Sequence, residues 1–134
     1  MCGIVGIFSD KQLFSKLQVK TMLDSIAHRG PDDAGIVAID TDTNQVKEDQ
    51  SNLLFGHRRL SILDLSSLGH QPMQTKDQKI WITYNGEIFN FIEIRQKLRN
   101  KGYSFISNTD TEVILYAYKE YGKNCLKLFR GFFA

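Results

Sequence analysis

The chain commits to a buried strand almost at its first residue. Met1-Cys2 leads straight into Gly3-Ile4-Val5-Gly6-Ile7-Phe8, an apolar run rich in isoleucine and valine and closed by Ser9-Asp10. Such a run between polar turn residues predicts a strand covered on both faces. It also fixes the chemistry available at its head. If Met1 is removed, Cys2 carries a thiol and a free α-amine on one residue. The amine titrates near ~8 and the thiol near ~8.5, so the neutral amine can take the thiol proton as sulfur attacks. That is general-base activation of a nucleophile without a histidine. The alternative is an incidental cysteine leading a core strand, and the other polar motifs must decide.

Length and composition narrow the field. At 134 residues the chain is one domain and too short for two ordinary ones. Apolar residues at 42% and charged residues at 24% are ordinary for a globular protein. A formal charge of +2, with its lysines and arginines scattered, argues against a nucleic-acid partner. No apolar run approaches the ~20 residues of a membrane span, and the first run is too short and lacks a basic leader for secretion. Cys2 and Cys125 sit in no paired spacing, so a disulfide framework is not expected and a reducing cytoplasm fits. Leu126 to Ala134 breaks off as an apolar run begins after Gly131, which predicts a domain cut inside a strand and a longer natural protein.

After the first strand, Leu13, Phe14, Leu17, Met22, Leu23 and Ile26 give a core-facing helix over Lys11 to Ala27. His28-Arg29-Gly30-Pro31-Asp32-Asp33 breaks it as a loop. Strands are expected at Gly35 to Ile39, Leu53 to His57 and Lys79 to Tyr84, with a polar surface turn over Asp40 to Asn52 and a loop over Ser66 to Asp77. Asn85-Gly86 reads as a turn. Asn90 with Glu93 caps a helix that Gly102 ends, and Thr109 with Glu112 caps a second that runs to Tyr121 before Gly122. A short third helix follows through Cys125 to Phe129. This order fits an α+β layered domain rather than a doubly wound parallel sheet. Gly3 and Gly6 lack the third glycine of a dinucleotide fingerprint.

Four polar islands lie at strand ends or helix starts: His28 to Asp33, His57 to Asp64, Asn85 to Asn90 and Asn108 to Glu112. Together they supply what an amide-hydrolysing cysteine needs. Arg59 can fork onto a carboxylate through two parallel hydrogen bonds. Glu87 and Asp110 can receive an ammonium, and the Asn85 side-chain amide with the Gly86 backbone N–H can form an oxyanion hole. Cationic and anionic anchors with an oxyanion hole describe a pocket for an amino acid with a carboxamide side chain, and glutamine fits. Competing readings are a plain Asn-Gly turn, an Asp110 that only complements a helix dipole, and a member of the Arg58-Arg59 pair that is merely solvated. The three histidines and two cysteines match no usual zinc spacing.

Six motifs in order carry a resemblance: Cys2-Gly3-Ile4-Val5-Gly6, His28-Arg29-Gly30-Pro31-Asp32, His57 to Asp64, Gln71-Pro72-Met73, Tyr84 to Asn90 and Thr109 to Ile114. The chain resembles the class II, N-terminal-nucleophile glutamine amidotransferase domain, and more narrowly that of glutamine-hydrolysing asparagine synthetases. The resemblance implies a four-layer αββα sandwich of the N-terminal-nucleophile hydrolase type, truncated at its last strands. It implies Cys2 as nucleophile with its own α-amine as base, and Asn85 and Gly86 as the oxyanion hole. Arg59 would hold the glutamine carboxylate, Glu87 and Asp110 its amino group, and Leu60, Ser61, Ile62 and Leu63 would line the pocket. Arg29 and Asp32 would support the loop over Cys2. No metal or cofactor is implied for this domain; ATP and Mg would serve an absent C-terminal synthetase domain that amidates aspartate with the released ammonia. L-glutamine is the implied substrate, without nucleic acid or membrane, and a homodimer is left open. The rival readings are an amidotransferase serving another ammonia acceptor, and a non-catalytic glutamine-binding module that keeps Met1.

Overall fold

The computed structural model describes residues 2–134, so the fate of Met1 lies outside the described residues. The chain runs β1 (Gly3–Phe8), β2 (Phe14–Ser15), α1 (Lys16–Ser25), β3 (Asp33–Asp40), β4 (Gln45–Lys47), β5 (Gln50–Ser51), β6 (Leu53–Arg59), β7 (Met73–Gln74), β8 (Trp81–Ile82), β9 (Gly86–Ile88), α2 (Phe91–Arg99), α3 (Asp110–Tyr121) and β10 (Gly131–Phe133), with 3-10 turns at Ala27–Arg29, Ser67–Gly69 and Gly122–Leu128. The main sheet has the order β1-β6-β3-β4, antiparallel throughout. The pairs β7-β8 and β9-β10 form a second layer, and α2 and α3 close over it. With α1 on the outer face of the main sheet, the order is helix, sheet, strands, helices, which is the expected α+β, four-layer arrangement.

Strand periodicity explains the layering, because alternate side chains point to opposite faces. On one face of the main sheet Val5, Ala38 and Leu54 pack against Val19 and Leu23 of α1. Gly56 makes this approach possible: a Cβ there would sit 2.7 Å from Val19 and 3.0 Å from Leu23. On the other side Tyr84 and Ile88 pack with Ile94 and Leu98 of α2 and Val113 and Ala117 of α3.

Several local expectations are corrected. The first helix starts at Lys16, because Phe14–Ser15 pairs with Gln50–Ser51 and Ser15 forms a capping box with Gln18. Its buried residues are Val19 and Leu23, while Leu13, Leu17 and Met22 are exposed. The polar stretch Asp40 to Asn52 holds β4 and β5. Asn90 does not cap α2; its side chain instead bonds the Leu128 carbonyl and the Arg130 N–H. The Thr109 hydroxyl does accept the Glu112 N–H, but the Glu112 carboxylate reaches the Ser107 and Ile106 N–H groups rather than Thr109. Gly102 and Gly122 take positive φ of 94° and 56°, the left-handed backbone a glycine adopts without strain. Among the described residues no helix is long and apolar enough to cross a membrane.

Candidate active site

Cys2 stands one residue before β1, beside the end of β6. Antiparallel pairing sets Gly3 opposite Arg58, and the alternation of side chains then turns Cys2 and Arg59 to the same face. They line one cavity with Leu60, Ile62, Leu63, Asn85, Gly86, Glu87 and Asp110. The Leu60 N–H donates to the Cys2 Sγ at 3.3 Å. Ser61 is the exception among the expected lining residues. It faces an outer groove with Asp32, Asp33 and His70, and its N–H donates to Asp32 Oδ2 at 2.7 Å. Arg29 donates through Nε and Nη2 to the Cys2 carbonyl, both at 3.4 Å. Arg29 thus steadies the residue bearing the thiol, and Asp32 the segment beside it.

Arg59 is buried, and its guanidinium donates to the carbonyls of Asp64 and Ser66. A guanidinium has five N–H donors, so the fork retains donors for the cavity after these bonds. Gly69 clears the space, since a Cβ there would overlap Nη2 of Arg59. The neighbouring Arg58 is not merely solvated. It points to the other face, pairs with Asp24 at 2.6 Å and donates to the Leu23 carbonyl at the end of α1.

Asn85-Gly86 is not a hairpin turn. Asn85 exchanges both backbone hydrogen bonds with Ala134, at 3.0 and 2.8 Å, and Phe89 donates to the Arg130 carbonyl. In an antiparallel pair, hydrogen-bonded and non-hydrogen-bonded positions alternate. Gly86, opposite Phe133, is therefore a non-hydrogen-bonded position whose N–H points away from β10. Ile88 lies on the same edge, and its N–H is taken by Asp110 Oδ2 at 3.0 Å. The Gly86 N–H faces the cavity side with no partner among the described residues. Asn85 adds its side-chain amide, whose Oδ1 is buried without a hydrogen-bond partner among the described residues. Which end of an amide is oxygen is fixed by its partners. Among the described residues no protein group fixes this one.

Asp110, at the first turn of α3, is buried and accepts from the Tyr84 hydroxyl at 2.9 Å as well as from Ile88. Both bonds fall on Oδ2, leaving Oδ1 for the cavity. Burial, reinforced by the adjacent Asp110 carboxylate, pushes the Tyr84 hydroxyl well above the usual phenol range, so it stays a proton donor to Asp110. Tyr84 is also held by Gln71, whose Oε1 accepts the Tyr84 N–H at 2.8 Å.

Tyr84, Gln71, Asp64, Thr109 and Thr111 also line the cavity and were not singled out from sequence. Tyr84 and Gln71 lie inside quoted motifs, but their link spans 13 residues and ends on a backbone N–H, which no spacing rule encodes. Asp64 sits in the segment between β6 and β7 with both carboxylate oxygens engaged. Oδ1 accepts from Ser66 N and Oγ, and Oδ2 from Asn108 N at 2.9 Å. The Ser66 hydroxyl, followed by these backbone donors, pulls its pKa down to about 2.

The profile of the glutamine amidotransferase domain matches residues 1–134. Asparagine synthetase [glutamine-hydrolyzing] 1 of Bacillus subtilis is 39% identical over 138 residues, covering 100% of this chain and 20% of the relative. Asparagine synthetase [glutamine-hydrolyzing] 1 of Arabidopsis thaliana is 34% identical over 136 residues, covering 100% of this chain and 21% of the relative. The chain thus spans about a fifth of the length of these relatives. Among solved structures, the glutamine phosphoribosylpyrophosphate amidotransferase of B. subtilis complexed with ADP and GMP superposes with a TM-score of 0.77 at 24% identity, over 98% of this chain and 34% of that one. The allosteric regulatory enzyme of purine biosynthesis gives 0.75 at 24% identity, over 98% and 34%. These two carry the fold, a layered α+β arrangement.

Proposed function

Because the chain belongs to the glutamine amidotransferase domain family, we propose that its cavity hydrolyses L-glutamine to glutamate and ammonia through a thioester on Cys2. The ammonia would serve ATP-dependent amidation of aspartate by a C-terminal synthetase domain that binds ATP and Mg. One observation carries the reading: a thiol, an unpaired Gly86 N–H, a guanidinium fork and a carboxylate line a single cavity.

The chemistry follows from those groups. Once Met1 is cleaved, the α-amine of Cys2 takes the thiol proton while Sγ attacks the carboxamide carbon of glutamine. The carbonyl electron pair moves onto oxygen, which receives the Gly86 N–H and the Asn85 amide N–H. A single such donor is worth on the order of 10²–10³ in rate. The ammonium at Cys2 returns its proton to the leaving nitrogen, and the C–N bond breaks to free ammonia. Water then attacks the thioester, assisted by the same amine, to give glutamate and restore the thiol. Arg59 receives the substrate α-carboxylate, and Asp110 with Glu87 receives the α-ammonium. A reducing cytoplasm suits a free catalytic thiol.

The test is to incubate the protein, its N-terminus verified by intact mass, with a glutamine-like electrophile and locate the adduct by peptide mass. Modification of Cys2 with loss of glutaminase activity is expected. Modification of Cys125 with Cys2 untouched would end the proposal. Cys125 is buried, and burial raises its thiol pKa, so it is a poor competitor.

A further inference from the structure

The segment from Leu60 to Gly69 crosses the cavity with little burial of its own. Ile62, Leu63, Leu65 and Leu68 are exposed, so packing does not hold it. Hydrogen bonds do, and they fall into two groups. At its start Leu60 N bonds Cys2 Sγ, and Ser61 N bonds Asp32. Further along, the Asp64 and Ser66 carbonyls accept the Arg59 guanidinium, and the Asp64 carboxylate crosses to the Asn108 N–H, 44 residues away in sequence. Asn108 lies two residues before Asp110, the first residue of α3.

From this we infer that Asp64 is a positioning residue that sets the distance between the two anchors for glutamine. Its carboxylate ties the strap that orients Arg59 to the loop that presents Asp110. Its second oxygen bonds Ser66 N and Oγ, which fixes the carbonyl that Arg59 grips. The two poles of a zwitterion must be met at once. A carboxylate accepting on both oxygens therefore couples the cationic pole of the site to the anionic one. Cys2 and its Leu60 contact lie at the other end of the strap. Releasing Asp64 then loosens amino-acid binding and leaves the thiol chemistry in place. The inference rests on the proposed glutaminase reading.

Steady-state glutamine hydrolysis by the protein and its Asp64→Ala and Asp64→Asn variants tests it. Asp64→Ala should raise KM for glutamine about tenfold with kcat changed less than about threefold, the scale of a lost charge-assisted hydrogen bond. Inactivation of Cys2 by iodoacetamide, which has no zwitterion to be recognised, should stay within about twofold of the parent rate. Asp64→Asn keeps one neutral acceptor oxygen and should fall between the two. Hydrogen exchange at the Asn108 amide should quicken in Asp64→Ala. If that variant melts before it can be assayed, Asp64→Asn alone carries the test with a KM rise of about threefold. KM within twofold of the parent in a folded variant overturns the inference, as does an equal fall in iodoacetamide reactivity. A parent protein that releases no ammonia from glutamine overturns the underlying reading instead, so the two failures are distinguishable.

Discussion

The two faces of β6 are built from alternate residues of one strand and are held by different forces. Toward α1, Leu54 and Gly56 meet Val19 and Leu23, and Arg58 pairs with Asp24 at the rim. Toward the second layer, His57 and Arg59 carry their polar groups inward to Thr83 and to the Asp64 and Ser66 carbonyls. The first face is apolar burial, which tolerates small movements and is worth roughly 25 cal/mol per Å². The second is a directional network, where a displaced donor leaves a buried acceptor unmet. Mutations on the first should therefore lower stability and spare activity, and those at Arg59 should cost activity far more than stability.

The largest effect expected from this contrast is at Arg59. Arg59→Lys keeps the charge but loses the planar fork, and the two are not interchangeable at a bidentate site. The kcat/KM for glutamine should fall on the order of 10²-fold or more, while the melting temperature moves little. Gly69→Ala should act similarly, because the new Cβ would occupy the place of Nη2. Initial-rate kinetics beside a thermal melt measures both. A variant that loses stability in proportion to activity would erase the distinction between the faces.

On the apolar face, Leu23→Ala should destabilise by about 2–5 kcal/mol, because it opens a cavity under Gly56. Leu17→Ala, on the same helix but exposed, should cost less than about 0.5 kcal/mol. Urea titration separates them. Equal costs would mean that the helix is seated on a different stripe.

That stripe shows where sequence stops being informative. Helical spacing marked Leu13, Leu17 and Met22 as core, yet β2 pairing with β5 delayed the helix and turned Val19 inward instead. The strand beginning at Gly3 was legible because β-branched runs have few other uses, and the meeting of Cys2, Arg59, Asn85, Gly86 and Asp110 in one cavity was legible because each stands at a strand end or a helix start. The Asn-Gly pair misled for a physical reason. Its local turn preference was overridden by pairing with residues 131–134, far along the chain. The Tyr84 hydroxyl on Asp110 and the Asp64 bridge to Asn108 were illegible because each joins a side chain to a partner that only tertiary folding delivers.

The smallest effect on the polar face, and the sharpest, concerns His57. Thr83 Oγ1 has one proton and gives it to the Gly56 carbonyl, so the His57 Nδ1–H must be the donor to Thr83. Nε2 is then a bare acceptor, buried without a partner among the described residues. Protonating it would place a charge where nothing receives it. Burial accordingly lowers the pKa from 6.5 to about 4, with Asp33 opposing and Arg59 and His70 adding to the shift. As pH falls below 6.5 the unfolded chain binds a proton that the folded chain refuses, so stability falls with falling pH until the folded group titrates near 4. Above 6.5 this contribution is fully retained. Between pH 7.5 and pH 5 the linkage amounts to about 2 kcal/mol. His57→Gln keeps a donor for Thr83 and has nothing to titrate. Urea unfolding at the two pH values should therefore show the parent losing about 2 kcal/mol more than the variant. Parallel losses in both proteins would mean that His57 finds a partner for its proton inside the fold, and that this face is less tightly closed than its hydrogen bonds imply.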